Sequence, residues 1–141
     1  MATVNTYLYF NGNCEEAFNF YKSIFNKEFQ YIGRYKDVPE VARQNFPNCT
    51  DDHIMHIALP ISRETILMGA DIVESREREN IAAKFFSLYI STDSKEEADK
   101  LFNSLSHEGE IELPISEQFW GSYYGICRDK FGINWKISFS H

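Results

Sequence analysis

Few side chains in this chain can do chemistry, and their spacing limits what they can do together. His53 and His56 fall in one apolar run, HIMHIALP. Side chains alternate along a strand, so these two imidazoles face opposite sides and cannot grip one ion. His107 and His141 lie at a helix end and at the C-terminus and define no site. Cys14, Cys49 and Cys127 are odd in number and lack C-x-x-C spacing, which indicates neither a disulfide framework nor a zinc-thiolate centre. A reducing, cytoplasmic setting is expected. There is no P-loop, G-x-S-x-G elbow, H-E-x-x-H pair or glycine-rich strand-to-helix loop to cradle a nucleotide-like cofactor. The aromatic set Trp120, Tyr123, Tyr124 and Trp135 around Gly121 is more suggestive. Ring faces with a few polar tips suit an organic-ligand pocket, although core packing or a dimer seam would use the same rings.

Composition narrows the classes. The chain has 141 residues, 43% of them hydrophobic and 16% aromatic, enough for one compact domain with a sizeable core. Its formal charge of −7 excludes a nucleic-acid or anionic-membrane surface, because such binding relies on neutralising phosphates. No stretch approaches the length of a membrane span, and the N-terminus lacks a leader pattern.

The elements that must position the aromatic set come as a repeat. Tyr7 to Asn26 is echoed by Ser87 to Ser106, with Leu8, Tyr9 and Phe10 answering to Leu88, Tyr89 and Ile90. Glu15-Glu16-Ala17 answers to Glu96-Glu97-Ala98, so one strand-plus-helix module occurs twice. Thr3 to Phe10 alternates as a half-buried strand. Asn13 with Glu16 reads as a capping pair for a helix starting near Cys14, whose stripe Ala17, Phe20, Tyr21 and Ile24 must be covered by a sheet. Strands are expected at 28–35, 53–60 and 64–70, with a long connection at 36–52 that could hold a short helix, Pro39 to Gln44. The charged stretch 72–84 reads as the joint between modules. The second module runs as strand 85–92, then a helix capped by Ser94 and Glu97, with Gly109 as its left-handed terminator. Strands at 110–114, 121–128 and 132–139 complete it. Each half is β-α-β-β-β. The domain is thus one unit over 1–141, with module one at 1–71 and module two at 85–141.

Three stretches carry a resemblance: YLYFNGNCEEAFNFYKSIF, then HIALPI with ILMGAD, and QFWGSYYGICRDKFGINWKI. Together they resemble the PhnB-like branch of the vicinal-oxygen-chelate (glyoxalase, bleomycin-resistance and dioxygenase) superfamily. The resemblance implies an α+β fold of two tandem β-α-β-β-β modules, whose curved mixed sheets enclose a cup, and assembly as a homodimer. Metal enzymes of that superfamily hold a divalent ion from the first and last strands of each module. Those positions carry Asn5 or Tyr7, Phe86 or Ser87, Met68 and Lys136 here. Where metal-binding relatives read D-x-x-G-N-x-x-E, this chain ends on Lys136, whose ammonium repels a cation. His56 matches a histidine common in the branch, but Ala58 stands where a glutamate is expected. Asp71 matches the acid that ends this strand, either at the cavity mouth or as a turn-stabilising group.

The expectation is a metal-independent protein, with no cofactor, that binds a small organic molecule; whether it is catalytic stays open. Tyr7, Tyr9, Ser87, Tyr89, Trp120, Tyr124, Trp135 and Lys136 are expected to line the cup, with Lys136 countering an anionic group. The alternative is a lyase or dioxygenase with a divalent metal on an unorthodox set including His56 or Asp71. No nucleic-acid or membrane partner is expected.

Overall fold

A computed structural model describes residues 2–44, 46–73 and 86–140. The joint expected at 72–84 falls almost wholly outside the described residues. The chain divides into two compact units, Met1–Glu77 and Arg78–His141.

In the first unit β1 (Thr6–Phe10) leads through Asn11-Gly12-Asn13 into α1 (Cys14–Phe25), followed by β2 (Tyr31–Arg34). A 3-10 turn (Tyr35–Asp37) and the short α2 (Glu40–Arg43) precede the hairpin β3 (Ile54–Pro60) and β4 (Ile66–Asp71). The sheet order is β1-β4-β3-β2, with β1 parallel to β4 and the other pairs antiparallel. Leu8, Phe10, Ile57, Leu59 and Leu67 are buried on one side of this sheet, where α1 packs. The helix meets them through Cys14, Ala17, Phe18 and Tyr21, one turn earlier than the expected stripe. Phe18 sets this placement: its ring stands edge-on to Phe10 and Tyr21 and sits over Gly69, where a Cβ would lie 2.6 Å from Cε2.

The start of α1 corrects a second expectation. The Asn13 side chain makes no capping hydrogen bond. The first helical amide, Cys14 N–H, donates instead to Asp71 Oδ1 at 2.9 Å, and Ile54 N–H donates to Oδ2 at 2.8 Å. A carboxylate at a helix N-terminus both satisfies an orphan amide and opposes the helix dipole favourably. Tyr35 Oη donates to the Asp71 carbonyl, so one residue at the end of β4 ties together α1, β3 and the 3-10 turn.

The second unit repeats the plan. It comprises β5 (Leu88–Ser91), α3 (Lys95–Ser106), β6 (Glu110–Glu117), β7 (Ser122–Arg128) and β8 (Asn134–Ser140), in the order β5-β8-β7-β6 with β5 parallel to β8. Ala98, Leu101, Phe102 and Leu105 form the buried stripe of α3, as the spacing predicts. Ser94 Oγ accepts from Glu97 N–H, and Glu97 Oε1 accepts from Asp93 N–H, giving the expected local cap. Glu108, not Gly109, takes the left-handed conformation after α3. Gly109 is needed for a different reason: a Cβ there would collide with the Arg128 carbonyl oxygen. Strand β6 runs on to Glu117, past its expected end at Pro114. It is an edge strand whose register shifts around Pro114, so the missing N–H breaks no ladder. The observed fold is therefore α+β, with two four-stranded mixed sheets, each covered on one side by a helix. Among the described residues no helix is long and apolar enough to cross a membrane.

Candidate functional site

Strand alternation decides which side chains reach the face of each sheet that carries no helix. In the first unit Tyr7, Met68, Ala58 and Tyr31 lie in one cross-strand row. Tyr9 with Ala70, and His56 with Gly33, flank that row on the same side. Small residues in this face leave room for rings above it. The Tyr31 ring lies over Gly33, where a Cβ would sit 2.7 Å from its Oη.

His56 is the polar centre of this cluster. Its Nδ1 is 3.0 Å from Tyr7 Oη, and its ring stacks on Tyr7 at 5.6 Å between centroids and lies 5.7 Å from Tyr31. Tyr9 leans on Tyr7 at 5.1 Å. Burial raises the Tyr7 phenol above its ordinary ionisation range, and Tyr9 and Cys14 add to the rise. In the Tyr7–His56 bond either partner can be the donor, according to the imidazole tautomer. Even so Tyr7 is 38% exposed, Tyr31 49% and Tyr9 62%.

In the second unit the open face carries Tyr89, Lys136 and Ile126 in one row, with Tyr124 and Ser138 in the next. Tyr89 and Tyr124 are 6.5 Å apart between centroids, and Trp120 stands edge-on to Tyr124 at 5.5 Å. Trp120 occupies the β6–β7 turn, in which Gly121 adopts a positive φ and donates its N–H to the Gln118 carbonyl. Lys136 makes no ion pair among the described residues. Ser87 immediately precedes β5.

Trp135 is on the opposite side. It is buried, and its Nε1–H donates to Asp129 Oδ2 at 2.8 Å. The other Asp129 oxygen accepts from Phe131 and Ile133 N–H. The run DKFGINW is thus a clamp for the β7–β8 turn, and its tryptophan is a core residue. Adjacent strand positions face opposite sides, so Trp135 and Lys136 could never have shared one wall. The first unit's expected wall likewise omitted His56 and Tyr31. The signal for them was strand parity: Tyr31 and Gly33 alternate on β2 as His56 and Ala58 do on β3.

The residues named for a metal do not converge. Asp71 spends both carboxylate oxygens on backbone amides, while His56 bonds Tyr7. Among the described residues no group of three or more His, Cys, Asp or Glu could hold a metal ion. Nor do Cys14 and Cys127, both buried, present activated thiols. Burial, aided by Asp71 and Glu15, raises Cys14 well above the usual thiol range, and burial with Asp129 and Glu112 pushes Cys127 up to about 12.

The family described as 3-demethylubiquinone-9 3-methyltransferase matches residues 2–138. Protein YjdN of Escherichia coli strain K12 is 29% identical over 143 residues, covering 96% of this chain and 93% of YjdN. The crystal structure of PA1353 from Pseudomonas aeruginosa is 32% identical, with a TM-score of 0.83 over 99% of this chain and 98% of the other. A Bacillus cereus structure described as PhnB protein is 26% identical, with a TM-score of 0.77 over 99% and 100% of the two chains. A glyoxalase/bleomycin resistance protein/dioxygenase family enzyme from Burkholderia phytofirmans PsJN shares the fold at 13% identity, with a TM-score of 0.59 over 97% of both chains.

Proposed function

The chain belongs to the family described as 3-demethylubiquinone-9 3-methyltransferase, the PhnB-like proteins of the glyoxalase/bleomycin-resistance fold, and on that footing we propose that it binds a small organic molecule without a catalytic metal. The observation that carries this reading is the exposure of aromatic rings on the helix-free face of each sheet. Tyr7 and Tyr31 flank His56, with Tyr9 against Tyr7, in one unit; Tyr89, Tyr124 and Trp120 form a ring cluster in the other, with Lys136 paired to Tyr89 across the strands. Exposed rings with a few fixed polar atoms offer stacking area and orientation together. Lys136 supplies a cation for an anionic substituent, and Ser87 a hydroxyl at the edge. Trp135 supports the face from below and is not part of this wall. A homodimer in the cytoplasm completes the reading.

Methyl transfer is not included. A nucleotide-like methyl donor is usually held at a glycine-rich turn that opens onto a helix N-terminus. Here that turn is Asn11-Gly12-Asn13, and the leading amide of α1 already meets the Asp71 carboxylate. In the other unit Ser94 Oγ accepts from the Glu97 amide, and the Glu97 carboxylate from the Asp93 amide just before α3. A divalent metal fits no better, since the positions that the resemblance assigns to its ligands carry Asn5 or Tyr7, Phe86 or Ser87, Met68 and Lys136. The competing lyase or dioxygenase reading needs Asp71 or His56 as ligands, and Asp71 is buried on the helix side of the sheet, opposite His56, with each oxygen holding a backbone amide.

A thermal-shift screen of small organic metabolites tests the proposal, read together with tryptophan emission. A ligand at about a hundred times its Kd contributes about 2.7 kcal/mol. For a chain of this size that raises Tm by roughly 10 °C. Trp120 is 52% exposed and Trp135 buried, so a ligand on the second unit's face changes Trp120 emission. A screen with no stabilising compound, or one tightly held metal per chain by elemental analysis, overturns the reading.

A further inference from the structure

On the open face of the first unit one nitrogen of His56 points at nothing in the described part of the protein. His56 gives Nδ1 to the Tyr7 hydroxyl, and its Nε2 has no hydrogen-bond partner among the described residues. Its ring is bracketed by two others, Tyr7 at 5.6 Å with planes 29° apart and Tyr31 at 5.7 Å with planes 41° apart. The bracket is built into the strands. Gly33 lies directly across from His56, and its lack of a side chain is what lets the Tyr31 ring fold over β2 toward the imidazole. Any larger residue at Gly33 would push the Tyr31 ring away.

We infer that Tyr7 donates to Nδ1 and so leaves His56 Nε2–H as a ligand-recognition donor, orienting the oxygen acceptor of a flat ring compound that stacks among Tyr7, Tyr9 and Tyr31. This deepens the small-molecule reading above and rests on it. Two features choose the ligand chemistry. The bracketing surfaces are ring faces, which favour another ring by stacking. The single fixed N–H demands an acceptor, so a carboxylate, phenolate or carbonyl oxygen fits, whereas a group that only donates does not. Tyr7 is the positioning residue. By donating to Nδ1 it fixes the tautomer and holds the ring plane, as a carboxylate or carbonyl partner does for histidines elsewhere. Without Tyr7 the imidazole can place its proton on either nitrogen, and the donor is no longer fixed.

The test uses the full chain, labelled with 15N, and two probes: benzoate, which has ring and acceptor, and toluene, which has the ring alone. Long-range 1H–15N spectra of the free protein should show His56 as the Nε2–H tautomer; an Nδ1–H pattern overturns the inference. Benzoate should shift Nε2 and the ring signals of Tyr7 and Tyr31. In His56→Phe, which keeps a ring in the bracket but no N–H, benzoate affinity should fall at least about tenfold while toluene affinity holds. Should His56→Phe fold poorly, Tyr7→Phe carries the same logic through a mixed-tautomer spectrum and a weaker benzoate response. Equal benzoate affinity in wild type and His56→Phe overturns this inference and leaves small-molecule binding intact. A benzoate titration that moves neither tyrosine overturns it too, and the broader reading falls only if the metabolite screen is also empty.

Discussion

Replacing Asp71 by Asn should destabilise the first unit far more than the loss of one charge suggests. The side chain is 1% exposed, and each carboxylate oxygen accepts one backbone amide, from Cys14 at 2.9 Å and Ile54 at 2.8 Å. Asn fills the same volume but presents one oxygen and one NH2, so one of the two amides must face a donor. That removes a charge-assisted hydrogen bond, worth about 1.5–3 kcal/mol, and leaves a buried N–H unsatisfied. The favourable charge at the α1 N-terminus goes with it, about 0.5 kcal/mol more. Because the first two costs overlap, the expected total is about 3 kcal/mol. Asp71→Ala strands both amides and should cost about 4–5 kcal/mol. Urea denaturation followed by far-UV circular dichroism reads the change as a lower midpoint at unchanged slope. An Asp71→Asn protein within about 1 kcal/mol of wild type would show that water or local repacking satisfies these amides, and that the residue does not tie α1 to β3.

Two further outcomes follow from named contacts. Tyr123 Oη donates to Asp99, and this bond, with burial and the nearby Glu117 charge adding, pushes the phenol up to about 12. A phenol raised in the folded state contributes stability that is whole below the ordinary tyrosine range, near 10, and is lost as pH rises through about 12. Ultraviolet titration should show this late-ionising tyrosine in wild type and its return toward about 10 in Asp99→Asn. Gly109→Ala forces a Cβ against the Arg128 carbonyl, a backbone atom that cannot rotate away, so a loss of about 3 kcal/mol or more is expected in thermal unfolding. Gly121→Ala, with open space around its Cβ position, should cost only about 1 kcal/mol, from its positive φ.

The sequence made the strand order legible because period-two and helical patterning are local signals, written twice in this chain. The helix start at Cys14 was legible too, but not its cap. Asn13 and Glu16 spell a capping pair, whereas the group that meets the Cys14 amide is Asp71, 57 positions away. No local pattern reports such a partner. The shifted α1 stripe has a similar origin: Phe18 is buried because Gly69, on another strand, leaves room for it. Gly109 sits where a left-handed terminator belongs, yet its need arises from Arg128, brought beside it by β6–β7 pairing. For the candidate site, Tyr7, Tyr9, Tyr89, Trp120, Tyr124 and Lys136 were readable as exposed-face positions. Joining His56 to Tyr7 required knowing that β4 lies between β1 and β3, which is topology rather than pattern.

The two helices of this duplicated module are capped by different logics, and that difference bears on the order of assembly. Ser94, Asp93 and Glu97 are neighbours in the chain, so the start of α3 can close before any strand has found its partner. At the start of α1 the Cys14 amide finds its partner only when β4 brings Asp71 beside it. A contact spanning so much chain carries a loop-closure cost that a four-residue contact does not. Two copies of one plan thus differ in where the partner of the helix start lies: beside it in the chain in the second half, across the sheet in the first.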